Sequence, residues 1–281
     1  MSWTAVAKKD FQDASRSRAI WGLLFVFVLF STVMAFAYAA VPELTAGPGE
    51  TSVAGLVFFM AGIVGLFVSL TAIVLCYKAI AGEREIGSVK LLLSLPHTRR
   101  DVLIGKLVGR TGVLAGALAI GLAIGLGLGL TLIGQIEVVP ILLFLAITLL
   151  FAAIYVAIVV GLSATTGSTS RAAALAIGFF FVFELLWDAV PLVVIYVLEG
   201  FSFPQQIPDW YFLLVQIPPS SAYFSSLIAL LPDMADSVGA DVGEGQFDAF
   251  YATPELGFVY LALWLAVPLA IGYWRFESAD I

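Results

Sequence analysis

Two carboxylates stand out as groups that could do chemistry. Glu184 and Asp188 are the charges inside the apolar run Ala172–Leu198. Four residues apart on a helix, they share one face. A carboxylate at membrane depth marks an ion, proton or substrate path by default; the plainer alternative is the wall of a water-filled vestibule. Other chemistries have little to work with. His97 and Cys76 are each single in the chain, which removes a disulfide framework, a Cys-based zinc site and the usual Ser-His-Asp arrangements. A nucleic-acid binder needs an excess of Lys and Arg, and 13 basic against 20 acidic residues do not supply one. No Gly-x-x-x-x-Gly-Lys-Ser/Thr phosphate loop occurs.

The elements that must position Glu184 and Asp188 are read from composition. Of 281 residues, 61% are hydrophobic and 12% charged, whereas a soluble domain carries about 25% charge. Long apolar runs occupy Ala19–Ala40, Val53–Tyr77, Thr111–Gly134, Val138–Leu162, Ala172–Leu198 and Leu256–Trp274. Crossing a bilayer takes roughly 20 residues, and backbone groups in lipid must be bonded internally, so these runs are helices. The expected fold is all-α: an integral membrane bundle of six transmembrane helices forming a single domain over 1–281.

The charges sort by side. All 13 bases lie before span 1, between spans 2 and 3, at Arg171 or at Arg275, and the loops 41–52, 135–137 and 199–255 hold none. The positive-inside rule then places both termini in the cytoplasm. Asp10, Asp13, Glu83, Glu85, Asp101, Glu277 and Asp280 share that side, leaving it at +6; the other thirteen acids leave the far side and span 5 at −13. No base on the far side can pair with Glu184 or Asp188. They are therefore expected to be protonated, bonded to Tyr or Ser, facing water, or holding a cation. Ala37-Tyr38-Ala39 has the form of a cleavage site, but the preceding apolar run is longer than the ~7–15 residues of a signal core, so span 1 is expected to stay.

More than half of the bases fall in 78–110. There Ser88–Leu95 reads as a stubby apolar helix bounded by Gly87 and Pro96, since a proline pushes the residue before it out of helical geometry. Thr98-x-x-Asp101 is a capping-box-like start for the next helix. A stubby apolar helix with a charged rim suits a groove on a partner protein or the lipid surface; physics alone leaves both open.

Glu83 and Glu85, Gly87-Ser88, Leu91–Leu95, Pro96, Arg99 and Gly105-Lys106 together resemble the signature of ABC-2 type transporter permeases. The stretch 1–18, with Lys8, Lys9, Asp10, Arg16 and Arg18, resembles that family's amphipathic N-terminal helix, although the family often has Glu where Asp10 stands. Cytoplasmic termini and the long external segment 199–255 also fit. The resemblance implies that 78–106 is a coupling segment docking on a separate ATP-binding subunit. Leu92, Leu95 and their neighbours would fill its groove, Glu83, Arg84, Glu85, Arg99 and Arg100 would contact its rim, and Gly87 and Pro96 would set the bends. Ser88 and Lys106 complete the signature. ATP and magnesium would then sit on that partner and no cofactor on this chain, which would not itself be an enzyme. A second permease copy, a place in the cell membrane and an export direction are implied too. The rivals are a self-sufficient secondary transporter, which would show internal repeats, and a membrane-embedded enzyme.

Span 3 carries Ala117, Gly121, Gly125 and Gly129 at four-residue spacing, a ladder for close helix approach in lipid. In 199–255, Trp210–Leu231 is apolar but broken by Pro218-Pro219. Its halves are too short to span and read as half-helices dipping into the membrane, or as helices lying on its surface. Pro232–Asp248, with five acids, reads as a solvated loop.

Overall fold

The computed structural model describes residues 3–41, 51–89, 98–202, 208–232 and 253–279. Among them every regular element is helical. Six stretches are long and apolar enough to cross a membrane, as the hydropathy pattern requires. The helices are α1 (Trp3–Ser15), α2 (Arg18–Ala40), α3 (Val53–Cys76), α4 (Ala81–Glu85), α5 (Arg99–Ile133), α6 (Val138–Ala164), α7 (Thr169–Phe180), α8 (Ala189–Leu198), α9 (Trp210–Val215), α10 (Pro219–Leu230) and α11 (Leu256–Glu277). The Leu91–Leu95 helix, Leu92, Leu95, Pro96 and the acidic loop from Asp233 onward lie outside the described residues.

α1 is amphipathic, burying Val6, Ala7, Asp10 and Ala14, one face at helical spacing. That face lies on α5. With 35 residues, α5 is about 52 Å long, against ~30 Å of hydrocarbon, so its N-terminal turns project beyond the bilayer to meet α1. The expected capping box is present: Asp101 N donates to Thr98 Oγ1 at 3.1 Å, and Thr98 N to Asp101 Oδ2 at 3.0 Å.

The glycine ladder does what its spacing predicts. A methyl on Gly125 would sit 2.5 Å from Ser31 Cβ of α2, and Ser31 Oγ donates to Gly121 O at 2.6 Å. The close approach continues one stretch earlier, where a methyl on Gly109 would meet Ala7 O of α1 at 2.9 Å. At the other side of the bundle α6 crosses α11 through Gly161, Pro268 and Gly272, with backbone against backbone. α6 is the enclosed centre, burying Phe144, Phe151, Tyr155 and Val160. α2, α7–α8 and α11 turn apolar side chains outward, among them Phe25, Leu192 and Leu263, as lipid-facing helices do.

Two features depart from a plain six-helix reading. The fifth apolar run is not one α-helix: Phe181–Leu186 is π-helical between α7 and α8. The segment before span 6 supplies α9 and α10, and α10 enters the bundle. Tyr223 and Thr148 hydroxyls meet at 2.8 Å, and Thr148 lies about 15 Å along α6 from Val138. α10 is therefore packed into the bundle against α6 rather than standing apart from it.

Candidate functional site

The basic end of the bundle holds the first cluster. Lys106 Nζ, one turn before Arg110 on α5, is 2.7 Å from Glu83 Oε1 of α4 and 3.3 Å from Asp10 Oδ1 of α1. Arg110 Nε is 2.9 Å from Asp10 Oδ2, and its Nη1 donates to Leu75 O at 3.0 Å. Asp10 and Lys106 are 6% and 3% exposed. Charges so enclosed persist only when paired; here Asp10 lies between two cations of α5, and Lys106 ties α5 to both α1 and α4.

α4 is fastened to the turn between α6 and α7 by reciprocal caps. Ser163 Oγ, fully buried, accepts from Ile80 N and Ala81 N, each at 3.1 Å, at the start of α4. Glu85 Oε2 in return accepts from Thr169 N at 3.0 Å, at the start of α7. Both caps satisfy amides that a helix start leaves unbonded. Hydrogen bonding from the Thr169 hydroxyl and amide holds the Glu85 carboxyl below its ordinary pKa. Between them Arg84 Nη1 donates to Ala164 O at 3.1 Å. Gly87 then turns the chain with φ +75°, where a side chain would be strained. At the start of α5, Arg99 donates to the carbonyls of Phe276, Glu277 and Ala279, positive charge completing the end of α11.

Glu83, Arg84, Glu85, Arg99 and Lys106, singled out from sequence, are therefore all engaged within the chain. Ser88 Oγ donates to Glu83 O at 3.4 Å. Arg100 is exposed. Four residues of this junction went unread: Arg110, Ser163, Thr169, and Asp10 in its pairing. Asp10 had a signal, an acid on the apolar face of α1. Ser163 and Thr169 had none, because their roles depend on tertiary contact.

The second cluster lies at membrane depth. Glu184 sits in the π-helical stretch, against Tyr155 of α6 and Ser220 of α10. Glu184 Oε1 and the Tyr155 hydroxyl are buried without a partner in ordinary hydrogen-bond geometry. Asp188 is exposed. The shared environment expected from four-residue spacing is thus divided: Glu184 packs against α6 and α10, while Asp188 is exposed. Such π stretches recur at functional sites. Ser220 opens α10 after the break at Pro218 and faces Gly65 at 3.5 Å from an added methyl, beside a cavity of about 270 Å³ bordered by Ser221 and Ser225. The break is held by aromatic donors: Trp187 Nε1 to Leu214 O at 2.7 Å, Tyr260 OH to Leu213 O at 3.0 Å and Trp264 Nε1 to Ile217 O at 2.6 Å. These bond carbonyls that an interrupted helix in lipid would leave bare. Among the described residues no group of three or more His, Cys, Asp or Glu is placed to hold a metal.

Six membrane-length helices around a latched basic junction define a multi-pass membrane protein of the transporter permease class. The chain belongs to the ABC-2 family transporter proteins, whose family model matches residues 4–281. It is 31% identical over 284 residues to the probable ABC transporter permease protein NosY of Pseudomonas aeruginosa, covering 99% of this chain and 98% of that one. It is 29% identical over 273 residues to the protein of the same name from Stutzerimonas stutzeri, covering 95% of each.

Proposed function

We propose that this chain is the membrane-spanning subunit of an ATP-driven exporter, coupled through residues 78–106 to a separate ATP-binding subunit and working beside a second permease copy. Both termini lie in the cytoplasm and the protein sits in the cell membrane. ATP and magnesium belong to the partner. The relatives named as ABC transporter permeases and the lack of a phosphate loop in this sequence support that division of labour.

The observation that carries the reading is how the base of the 78–106 segment is fastened. Lys106 joins it to α1 and α5, Ser163 and Thr169 to α6 and α7, and Arg99 to α11. A displacement of the segment is therefore delivered to several membrane helices at once. Glu184 and the exposed Asp188, on the helix that α7 begins, are the candidates to line the path between two copies. An exposed carboxylate facing hydrocarbon alone is costly, which favours water or a second copy against it.

Docking is tested by co-purification with a candidate ATP-binding subunit carrying a phosphate loop. Glu83 reversal would disturb the internal network, so the informative variants are Leu92→Asp and Arg100→Glu. Loss of the ATPase from a folded permease is expected; undiminished capture by both variants removes the segment from the docking role.

A further inference from the structure

We infer that the notch between α1, α2 and α5 is a binding site for one anionic phospholipid of the leaflet on the basic side. The notch encloses about 200 Å³ and is lined by Phe11, Trp21, Leu24, Gly112, Gly116 and Ile120, among others. Its walls are almost wholly apolar, and Gly116 leaves open space where a side chain would stand. From Gly112 to Ile120 it runs about 12 Å along α5, close to the ~15 Å hydrocarbon depth of one leaflet. That length fits an acyl chain.

The charge at the mouth selects the headgroup. Ser15 and Ile20 border the notch; between them Arg16 stands in the turn and Arg18 opens α2, both exposed. Neither has an acidic partner within ion-pair distance among the described residues. Lys8 and Lys9 are exposed on α1, with Asp13 as its exposed acid. Asp10 does not cancel them, being committed to Lys106 and Arg110. A basic rim over an apolar slot at the interface recognises a phosphate headgroup with its chain attached. Trp21, 68% exposed at the first turn of α2, sits where indoles favour the interface.

The test is native mass spectrometry of the purified full chain with phosphatidylglycerol and with phosphatidylcholine of identical acyl chains. Wild type should retain phosphatidylglycerol preferentially. Arg16→Gln with Arg18→Gln should lower that preference by about fivefold per arginine. Gly116→Leu should lower retention of both lipids, and an unchanged melting temperature in each variant shows that the bundle is intact. Equal retention by wild type and both variants overturns the site. Loss with the arginine changes but not with Gly116→Leu also overturns it, leaving only surface attraction. If Gly116→Leu instead changes the oligomeric state while lipid retention stands, the notch is a contact between copies and the proposal falls.

Discussion

Lys106 and Glu83 meet at 2.7 Å, although 23 residues and the turn of the 78–106 segment separate them in sequence. Asp10 holds the same ammonium from the other side at 3.3 Å. One cation thus ties the start of the segment to the amphipathic N-terminal helix. Lys106→Met would leave Glu83 and part of Asp10 without compensation. Breaking a buried pair from one side costs about 3–5 kcal/mol, so a marked drop in melting temperature is expected in detergent. Lys106→Met combined with Glu83→Gln should recover part of it. A single variant as stable as wild type would mean the pair carries no load.

The reciprocal caps predict a local effect rather than a global one. Ser163→Ala strands two buried amides at Ile80 and Ala81, at about 1–3 kcal/mol for the loss. Hydrogen exchange should quicken at those amides first. The Leu75 carbonyl contact of Arg110, on the neighbouring helix pair, should keep α3 and α5 protected. Uniform quickening across the bundle would argue against a separate joint.

Glu85 gives that joint a pH dependence with a definite sign. Its carboxyl is held below the ordinary range by Thr169. Its contribution is therefore complete above the unfolded value of about 4.3 and is lost as pH falls through the lower folded value. Protection of the Thr169 amide should persist at neutral and mildly acidic pH and decline only as pH falls below the ordinary carboxylate range. Glu85→Gln should flatten that profile; an unchanged profile would assign the decline to another group.

Glycine spacing makes a paired prediction along α5. A side chain at Gly125 strikes Ser31, whereas nothing lies within 4 Å of one at Gly127. Gly125→Leu should destabilise by about 1–3 kcal/mol through overpacking, and Gly127→Leu should be near neutral. Thermal melting of the two variants compares them directly, and similar losses would contradict the α2–α5 approach.

This ladder was legible because four-residue spacing and small side chains are written in one segment. The six spans, the Thr98–Asp101 cap and the Gly87 bend were legible for the same reason: each is local. The junction was only half legible. The basic cluster pointed to residues 78–106, but the side to which Glu83, Arg84 and Glu85 turn depends on Asp10, Ser163 and Thr169, which lie some 70 or more positions away. The π-helical stretch around Glu184 left no mark in hydropathy. Phe181–Leu186 is as apolar as its neighbours apart from the acid, and i→i+5 hydrogen bonding has no pattern of its own in hydropathy.

The carboxylates at membrane depth give the most direct test of a path. Cys76 is the single native thiol and is fully buried, so an introduced cysteine can be read in an otherwise unreactive chain. Asp188→Cys, at an exposed position, should react with a charged, membrane-impermeant thiol reagent. Glu184→Cys should react more slowly, because Tyr155 and Ser220 crowd it. Water at Asp188 gives the fast reaction; hydrocarbon gives none, since the thiolate does not form there and the reagent does not enter. If two copies meet along α7–α8, Asp188→Cys should also cross-link between chains under mild oxidation. An inert, uncrosslinked Asp188→Cys would place this face against lipid and withdraw Asp188 from the path; an inert Glu184→Cys would do the same for Glu184.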